Sequence, residues 1–448
     1  MTTAVRPDAA LWRLGGVLIM GAVLSILDAT IVTVGIDSIA RDLGSPLPTV
    51  QWVASAYLLA ASVAIPLSGW LVDRFGGRAV WLAAVAIFTA GTLLCGFAWS
   101  APALIAFRVL HGLGGGLMQP VGQAVFAQAA GPALGRMIGV ITLPATVAPV
   151  LGPLLGGVLV ADFGWRWMFF GIVPLGVATF AFARRLLPAP SPSGARAPLD
   201  VRGILLLSPG LGAFVYGLAE GVVVAWLAGA VLLVAYGIHA TRVPHAVLDL
   251  KLFRDKGFTV ASVSTFLLGA SLYSSMLLLP LYYEQVTHAS AWQAGLLLAP
   301  QAAGSAAVLL TGGRLLSRFG PRTMMLTGIA SSLLGTLAFT QLGSAPNGVW
   351  LTLSLLVRGA GLGASTVPGM TTLYSSLERS RIPHAASAVN VLNRIGGSLG
   401  TALLAAILHK ELTSAAAPVA FGTTFTWALG LSALTLLPAA LFPRRSTA

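Results

Sequence analysis

The sequence contains little charge and almost no cysteine. Asp, Glu, Lys and Arg together make up 9% of the 448 residues, whereas 56% of the residues are hydrophobic and the mean hydropathy is +0.88. A soluble globular protein cannot cover so much apolar surface with so few charges, so that class is excluded. The single cysteine, Cys95, excludes an intrachain disulfide.

Several kinds of functional site are also missing from the sequence. It shows no nucleophile paired with a base and no metal-ligand spacing, and the glycine-rich stretch HGLGGG at 111–116 lacks the lysine of a phosphate-binding loop. The net charge of +13 would suit a nucleic-acid partner, but the basic residues lie in short connections and form no binding face. We therefore expect no enzyme activity, no metal, no cofactor and no nucleic-acid partner.

The sequence does contain a series of long apolar runs. A hydrocarbon core of about 30 Å needs roughly 20 apolar residues per helix, and lipid admits only helices or closed barrels. The alternating pattern of a barrel is absent, so the runs predict an all-α polytopic membrane protein. The fourteen runs are 11–36, 49–73, 79–99, 102–126, 135–161, 167–187, 202–219, 222–240, 257–283, 291–316, 323–342, 348–374, 385–409 and 419–442.

Basic residues in the connections predict the orientation of these helices. Nearly all of them fall in one alternating set of connections, and Arg41, Arg166 and Lys410 are the exceptions. Because positive residues favour the cytoplasmic side, both termini are expected in the cytoplasm, with the chain in the cell inner membrane. The segment 202–240 could instead form one re-entrant element, which would change the count of membrane-spanning helices.

Two passages of the sequence repeat. GWLVDRFGGR at 69–78 returns as GRLLSRFGPR at 313–322, with Ser317 in place of Asp73, and Arg108 and Arg358 each precede a glycine-rich stretch. Repeated halves are a common plan of secondary transporters. The echoes predict two six-helix bundles, 1–187 and 257–448, separated by a linker, two additional transmembrane helices and a cytoplasmic connector in 188–256.

The motifs and their order resemble the major facilitator superfamily, and within it the fourteen-helix drug:proton antiporters of the EmrB and QacA type. Gly35 and Gly171 depart from this pattern, which usually has alanine and asparagine there. The resemblance implies a major facilitator fold with 14 transmembrane helices. The motifs are GWLVDRFGGR between helices 2 and 3, LDATIVTVGI at 27–36, LIAFRVLHGLGGG at 104–116, APVLGPLLGG at 148–157 and WRWMFFGIVPLG at 165–176.

Three residues are candidates for proton coupling. Asp28 is an acid deep inside an apolar run, and a carboxyl group there can take up and release a proton. Arg108 lies at a similar depth of the fourth run, and the resemblance ties this arginine to proton transfer. A structural acid and an arginine satisfied by carbonyl groups are the alternatives. Glu220, in the hairpin turn, is either a further proton site or an exposed loop acid.

The repeated loop predicts a cytoplasmic gate, in which Asp73 holds a helix N-terminus or a cation. The resemblance suggests the helix after Pro383 as its candidate partner. The predicted gate residues are Gly69, Asp73, Arg74, Gly76, Arg78, Arg318 and Arg322. The stretch APVLGPLLGG predicts close helix packing and a kink, and the resemblance implies that it seals the two halves in one state. Its residues are Pro149, Gly152, Pro153, Gly156 and Gly157.

The predicted substrate cavity is mostly apolar, with a few polar points. Arg394 is either a cavity group or a helix-packing group. Together these features predict a monomeric, proton-driven antiporter that exports lipophilic or cationic drugs by alternating access. An exporter dedicated to one metabolite, antibiotic or lipid, a proton-coupled importer and a transport-inactive sensor are the alternatives. The cavity residues are Trp52, Tyr57, Met118, Gln119, Gln123, Tyr273, Met276, Asn390, Asn393 and Arg394.

Overall fold

The computed structural model describes residues 9–188, 198–243, 245–341, 347–375 and 377–443. Within these ranges all the regular secondary structure is helical. The α-helices are α1 Ala9–Asp42, α2 Leu47–Ala64, α3 Ser68–Phe75, α4 Gly77–Gly96, α5 Ala101–Ala130, α6 Leu134–Thr142, α7 Pro144–Phe163, α8 Arg166–Phe170, α9 Val173–Leu186, α10 Val201–Ala219, α11 Val223–Arg242, α12 Lys256–Gln285, α13 Ala291–Leu337, α14 Gly348–Ser375, α15 Ile382–Ser414, α16 Ala417–Ala433 and α17 Leu436–Ala439.

Polar residues at the borders of the apolar runs start several helices. Ser100, Asp200 and Asp255 each accept a hydrogen bond from the backbone N–H three positions further on, at the beginnings of α5, α10 and α12. Ser290 and Gln293 form a capping box at the beginning of α13. These caps satisfy N–H groups that have no partner within the helix, and they explain where the helices begin.

The described helices suit a membrane. Twelve helical segments are long and apolar enough to cross one. Large apolar side chains remain exposed on them, such as Val231 and Val234 of α11 at 68% and 64%. Contiguous apolar surface of this kind is unfavourable in water and favourable against lipid. The chain is therefore a multi-pass membrane protein.

A proline and a glycine interrupt the helical geometry predicted from the apolar runs. The run 49–73 is broken by a 3₁₀ turn, Ile65–Leu67, which separates α2 from α3 and contains Pro66, a residue that has no N–H for the helix. The runs 291–316 and 323–342 are joined in α13, where Gly320 has φ 77° and ψ 163° and interrupts the helical geometry. A residue with a side chain rarely takes such a φ.

Residues 202–240 form two helices, not one re-entrant element. α10 and α11 pack against each other, with Gly217 beside Trp226 and Gly229 beside Phe214. Because the contact positions rise along one helix as they fall along the other, the two helices are antiparallel. Each is long and apolar enough to span a membrane.

The chain forms two compact units. The first unit consists of Met1–Gly131, Leu151–Leu250 and Glu378–Val391, and the second of Pro132–Val150, Lys251–Leu377 and Leu392–Ala448. Trp81 and Phe88 are fully buried in the first unit, and the rings of Tyr282, Phe339 and Phe425 meet in the core of the second. The predicted division into bundles 1–187 and 257–448 stays a prediction.

Candidate functional site

A buried ion pair lies inside the first unit. Arg108 Nη1 of α5 donates a hydrogen bond to Asp28 Oδ2 of α1 at 2.7 Å, and the two side chains are 1% and 0% exposed. Arg108 Nε also donates to the carbonyl oxygen of Val53 in α2 at 2.9 Å. The guanidinium group lies 4.3 Å from the ring centre of Tyr57, within the range of a cation–π contact. The structure thus brings together the two residues that the sequence placed at similar depth.

His111 joins this pair, and the sequence analysis did not select it. Its Nδ1 lies 3.0 Å from Arg108 Nη1, and its Nε2 lies 2.9 Å from Thr92 Oγ1 and 3.8 Å from Asp28 Oδ2. Since Arg108 can only donate, His111 Nδ1 accepts, and the ring proton is on Nε2 and is donated to Thr92. His111 follows Arg108 by three residues, so a helical reading of this stretch would have placed both on one face.

Glycines allow the helices around this cluster to come close. A Cβ atom at Gly91 of α4 would lie 2.7 Å from the backbone of His111, and one at Gly112 of α5 would meet the carbonyl oxygen of Tyr57 in α2. Contacts under 3.0 Å leave no room for a side chain. The stretch HGLGGG therefore serves helix packing, which brings α2 and α4 close to α5 around Arg108 and His111.

One oxygen of Asp28 has no partner. Asp28 Oδ1 is buried and makes no hydrogen bond to any residue that the structure describes. A buried acceptor without a donor is unfavourable, and protonation of the carboxyl group is one way to relieve it. Protonation also removes the negative charge that holds Arg108. Proton uptake and opening of the ion pair are therefore linked in this geometry.

Arg358 is the counterpart of Arg108 in the second unit. It lies on α14 and is 3% exposed. Its Nη1 donates to Gln301 Oε1 at 2.6 Å, its Nε donates to Thr336 Oγ1 at 3.2 Å, and its Nη2 donates to Ser275 Oγ. All three partners are neutral, and no described residue forms an ion pair with Arg358. The second unit therefore repeats the buried arginine but has no counterpart of its partner Asp28.

The two copies of the repeated loop share a backbone turn. Gly76 lies between α3 and α4 with φ 82°, and Gly320 interrupts α13 with φ 77°. Both values favour glycine, as the sequence predicts for Gly76. Arg74 and Arg318 are exposed, Arg322 is half-buried, and Arg78 donates to the carbonyl oxygen of Arg184.

The two copies differ in the contacts of Asp73 and of its counterpart Ser317. Asp73 Oδ2 lies 2.7 Å from His384 Nε2, at the start of α15, while His384 Nδ1 lies 3.4 Å from the carbonyl oxygen of Val247. Gly69 packs on His384, because a Cβ atom there would be 3.2 Å from His384 Cα. Ser317 donates to the carbonyl oxygen of Arg314 in its own helix, at 2.9 Å, and has no other side-chain hydrogen bond to a described residue.

The glycines of APVLGPLLGG pack on α1 in part. A Cβ atom at Gly152 would meet the side chain of Thr30, and one at Gly156 would lie 2.9 Å from Ile31 Cγ1, whereas nothing lies within 4 Å of Gly157. Thr30 and Ile31 follow Asp28 closely, so α7 supports the segment of α1 that carries the acid. The side chains of Pro149 and Pro153 lie outside the described residues.

The predicted cavity residues fall in both units. Trp52 is exposed and stacks on Tyr216 at 5.2 Å. Gln123 Oε1 accepts a hydrogen bond from Asn390 Nδ2 at 2.9 Å. Their shared cavity stays a prediction. Of the others, Tyr57 and Met118 are buried in the first unit, Gln119 is half-buried there, and Tyr273, Met276, Asn393 and Arg394 belong to the second unit.

Glu220 lies apart from the buried pair. It is exposed at the end of α10 and accepts a hydrogen bond from Ser55 Oγ at 3.3 Å. The carboxylate is thus at the end of the added hairpin and has none of the burial that distinguishes Asp28. Its role in proton coupling stays a prediction.

A multi-pass helical chain with repeated sequence passages and a buried acid–arginine pair is typical of a membrane transporter. Residues 18–401 match the Major Facilitator Superfamily. The chain belongs to this superfamily of transporters.

Relatives and solved structures agree with this assignment. The chain is 35% identical to the multidrug resistance protein B homolog of Mycobacterium tuberculosis, over 93% of this chain and 80% of the relative. It is 30% identical to the putative multidrug resistance protein MdtD of Klebsiella pneumoniae, over 98% and 95% of the two chains. The crystal structure of the human organic anion transporter MFSD10 covers 97% of this chain and all of its own, with a TM-score of 0.68 and 19% identity, which supports the fold alone.

Proposed function

We propose that this protein is a proton-coupled antiporter of the cell inner membrane that exports lipophilic drugs by alternating access. Relatives at 30 to 35% identity over most of the chain are named multidrug resistance proteins. The observation that carries the proposal is the fully buried Asp28–Arg108 pair, with one carboxylate oxygen left without a partner. Ionisable groups inside a membrane are costly, and those that persist commonly serve ion pathways.

In the proposed cycle, Asp28 takes up a proton on one side of the membrane and releases it on the other. Deprotonated Asp28 holds Arg108, so α1 and α5 are tied together. Protonated Asp28 has lost its charge, and Arg108 then keeps Val53, His111 and the rings of Tyr57 and Phe169 as partners. Movement of α1 relative to α5 is therefore easier in the protonated state, which couples the proton to the conformational change.

We also propose that Asp73 and His384 form a cytoplasmic latch in this cycle. The contact joins the end of α3 to the start of α15, two elements far apart in the sequence. Ser387 Oγ of α15 reinforces it with a hydrogen bond to the carbonyl oxygen of Ile65 at 2.9 Å. Opening of the cytoplasmic side would break these contacts, and the free energy of the latch then sets how often this happens.

The proposed topology has fourteen crossings, with both termini in the cytoplasm. The twelve segments that satisfy the length and hydropathy criteria count α13 once, although Gly320 divides it, and they do not include α6 and α7. Counting two crossings in α13 and one in α6–α7 accounts for fourteen. Because Cys95 is the single cysteine and is buried, single cysteines introduced into a Cys95→Ala chain can be tested for labelling from each side of the membrane.

The coupling proposal can be tested in vesicles that contain the purified protein. A pH gradient is imposed, and both uptake of lipophilic dyes and substrate-induced proton movement are recorded. We expect Asp28→Asn to abolish gradient-driven accumulation. Asp37→Asn is the matched control, since it removes an exposed acid from the same helix. Accumulation that is unchanged in Asp28→Asn would refute the coupling role.

A further inference from the structure

Arg394 is a charged residue deep within a membrane helix. It lies on α15, and the segment 385–408 contains no other charged residue and no histidine. At 1.5 Å per residue, Arg394 is about 15 Å from His384 along the helix and about 22 Å from His409. A position so far from both helix ends does not let the guanidinium group reach an interface by extension of its side chain alone.

Arg394 has no partner in the part of the chain that the structure describes. Two arginines of the described helices are buried, and both have partners, Arg108 with Asp28 and Arg358 with three neutral acceptors. Arg394 is half-buried, and it makes no hydrogen bond, ion pair or cation–π contact with any described residue. It is thus accessible, charged and free to bind.

The surroundings of Arg394 are held in place by close packing. Asn393 Nδ2 donates to the carbonyl oxygen of Thr265 in α12 at 3.4 Å. A Cβ atom at Gly397 would lie 2.6 Å from the ring of Tyr273, also in α12. Arg394 is next to Asn393 and one helical turn before Gly397, so it lies beside a rigid contact between two helices and one turn from an aromatic ring.

The acids of the second unit, Asp255, Glu284 and Glu411, lie at or near helix ends, and none of them forms an ion pair with Arg394 in the described structure. Every described ion pair, from Asp28–Arg108 to Asp73–His384, lies in the first unit. Arg358 adds a second buried positive charge with no carboxylate partner. In a medium of low dielectric constant this arrangement attracts an anion and repels a cation.

We propose that Arg394 binds the anionic group of the transported compound, so that the substrates include lipophilic anions and weak acids such as aromatic carboxylates and phenolates. The inference rests on the proposed export function and names its substrate class. It departs from the expectation of cationic drugs. The guanidinium group would donate to the anion, and the neighbouring aromatic and apolar side chains would receive the lipophilic part.

Tetraphenylborate and tetraphenylphosphonium are suitable probes, because they share size and shape and differ in the sign of their charge. Binding of each to the full-length protein in phosphatidylcholine nanodiscs is measured against empty nanodiscs. We expect tighter binding of tetraphenylborate. Arg394→Gln should weaken that binding about tenfold or more, as loss of a charged hydrogen-bonding partner does. Binding of tetraphenylphosphonium should change little.

Two control variants and one change of lipid serve as controls for this result. Arg394→Lys keeps the charge and should retain most of the preference, and Lys410→Gln removes an exposed charge from the same helix and should leave it unchanged. Equal binding of the two ions, or a preference that survives Arg394→Gln, would overturn the inference. A lipid headgroup offers the same anionic chemistry. Loss of tetraphenylborate binding when phosphatidylglycerol is added would assign the site to lipid and also overturn it.

Failure of this inference can be told from failure of the export proposal. Gradient-driven export of tetraphenylphosphonium, without selective binding of tetraphenylborate, would leave the antiporter standing and refute the anion site. Arg394-dependent binding of tetraphenylborate without any proton-driven movement would support the site and refute the antiporter.

Discussion

The two units hold similar arginines in different electrostatic surroundings. In the first unit Arg108 has the carboxylate of Asp28 at 2.7 Å. In the second unit Arg358 is equally buried but has only the amide of Gln301 and the hydroxyl groups of Thr336 and Ser275. Both arginines lie on helices that glycines allow to pack closely, with Gly91 opposite His111 and Gly335 opposite Arg358. The repeat has therefore kept the packing and the cation but not the acid.

This difference separates two uses of a buried arginine. A pair with an acid changes its charge when the acid binds a proton, so in the proposed cycle the first unit has a group that can respond to the proton gradient. An arginine among neutral acceptors keeps a constant charge, because its own proton is not released at ordinary pH. The first unit is thus suited to coupling, and the second to holding helices together in a positive environment.

The largest expected effect is on stability. Arg108→Leu leaves Asp28 buried without its partner and should lower the free energy of unfolding by about 3 to 5 kcal/mol. Arg358→Leu leaves only neutral groups without a donor and should cost about 1 kcal/mol. Thermal unfolding in one detergent measures both. The double variant Asp28→Asn/Arg108→Leu should recover much of the first loss, and equal losses in the two single variants would erase the distinction.

An acidic residue introduced beside Arg358 would give the second unit an ion pair like that of the first. Gln301→Glu would place a carboxylate at the position of the amide, 2.6 Å from Arg358 Nη1. In this background Arg358→Leu should become about 2 kcal/mol more destabilising than in the native chain, because a buried charge is then left unpaired. A double-mutant cycle of unfolding free energies measures the difference. A coupling near zero would mean that the new carboxylate does not pair with Arg358.

The repeated loops give a smaller contrast, in transport. Asp73→Asn weakens the contact with His384 and should slow gradient-driven transport about tenfold, which corresponds to about 1.4 kcal/mol. Ser317→Ala removes a hydrogen bond within one helix and should change the rate less than about twofold. Initial rates in vesicles measure both. His384→Leu should resemble Asp73→Asn, and similar rates for Asp73→Asn and Ser317→Ala would contradict the asymmetric latch.

The smallest expected effect concerns His111. His111→Gln retains an acceptor for Arg108 and a donor for Thr92 and should alter the free energy of unfolding by less than about 0.5 kcal/mol, whereas His111→Leu should cost about 1 kcal/mol. Unfolding of the two variants under the same conditions gives the comparison. If His111→Gln stops gradient-driven transport while stability is retained, the ring would have a part in proton transfer that its hydrogen bonds do not require.

Much of the fold could be predicted from local sequence. The apolar runs correspond to helices, and the ends of several helices coincide with caps such as Ser100 and Asp255. The predictions differed from the structure where one residue changes the backbone, as at Gly320, which interrupts α13 without ending it as a helix. A run of hydrophobic residues indicates that a segment spans a membrane, but the boundary between two helices depends on the backbone geometry of a few residues.

Hydropathy alone determined that this chain is a multi-pass helical membrane protein, and depth along the helices suggested that Asp28 and Arg108 could meet. Only the tertiary structure decided which side chains are neighbours. It brought His111 to the pair, gave Arg358 neutral partners, placed His384 beside Asp73 and left Arg394 without a partner among the described residues. The reason is physical: helical periodicity fixes height and face, whereas the lateral order of helices follows from packing between segments far apart in the sequence.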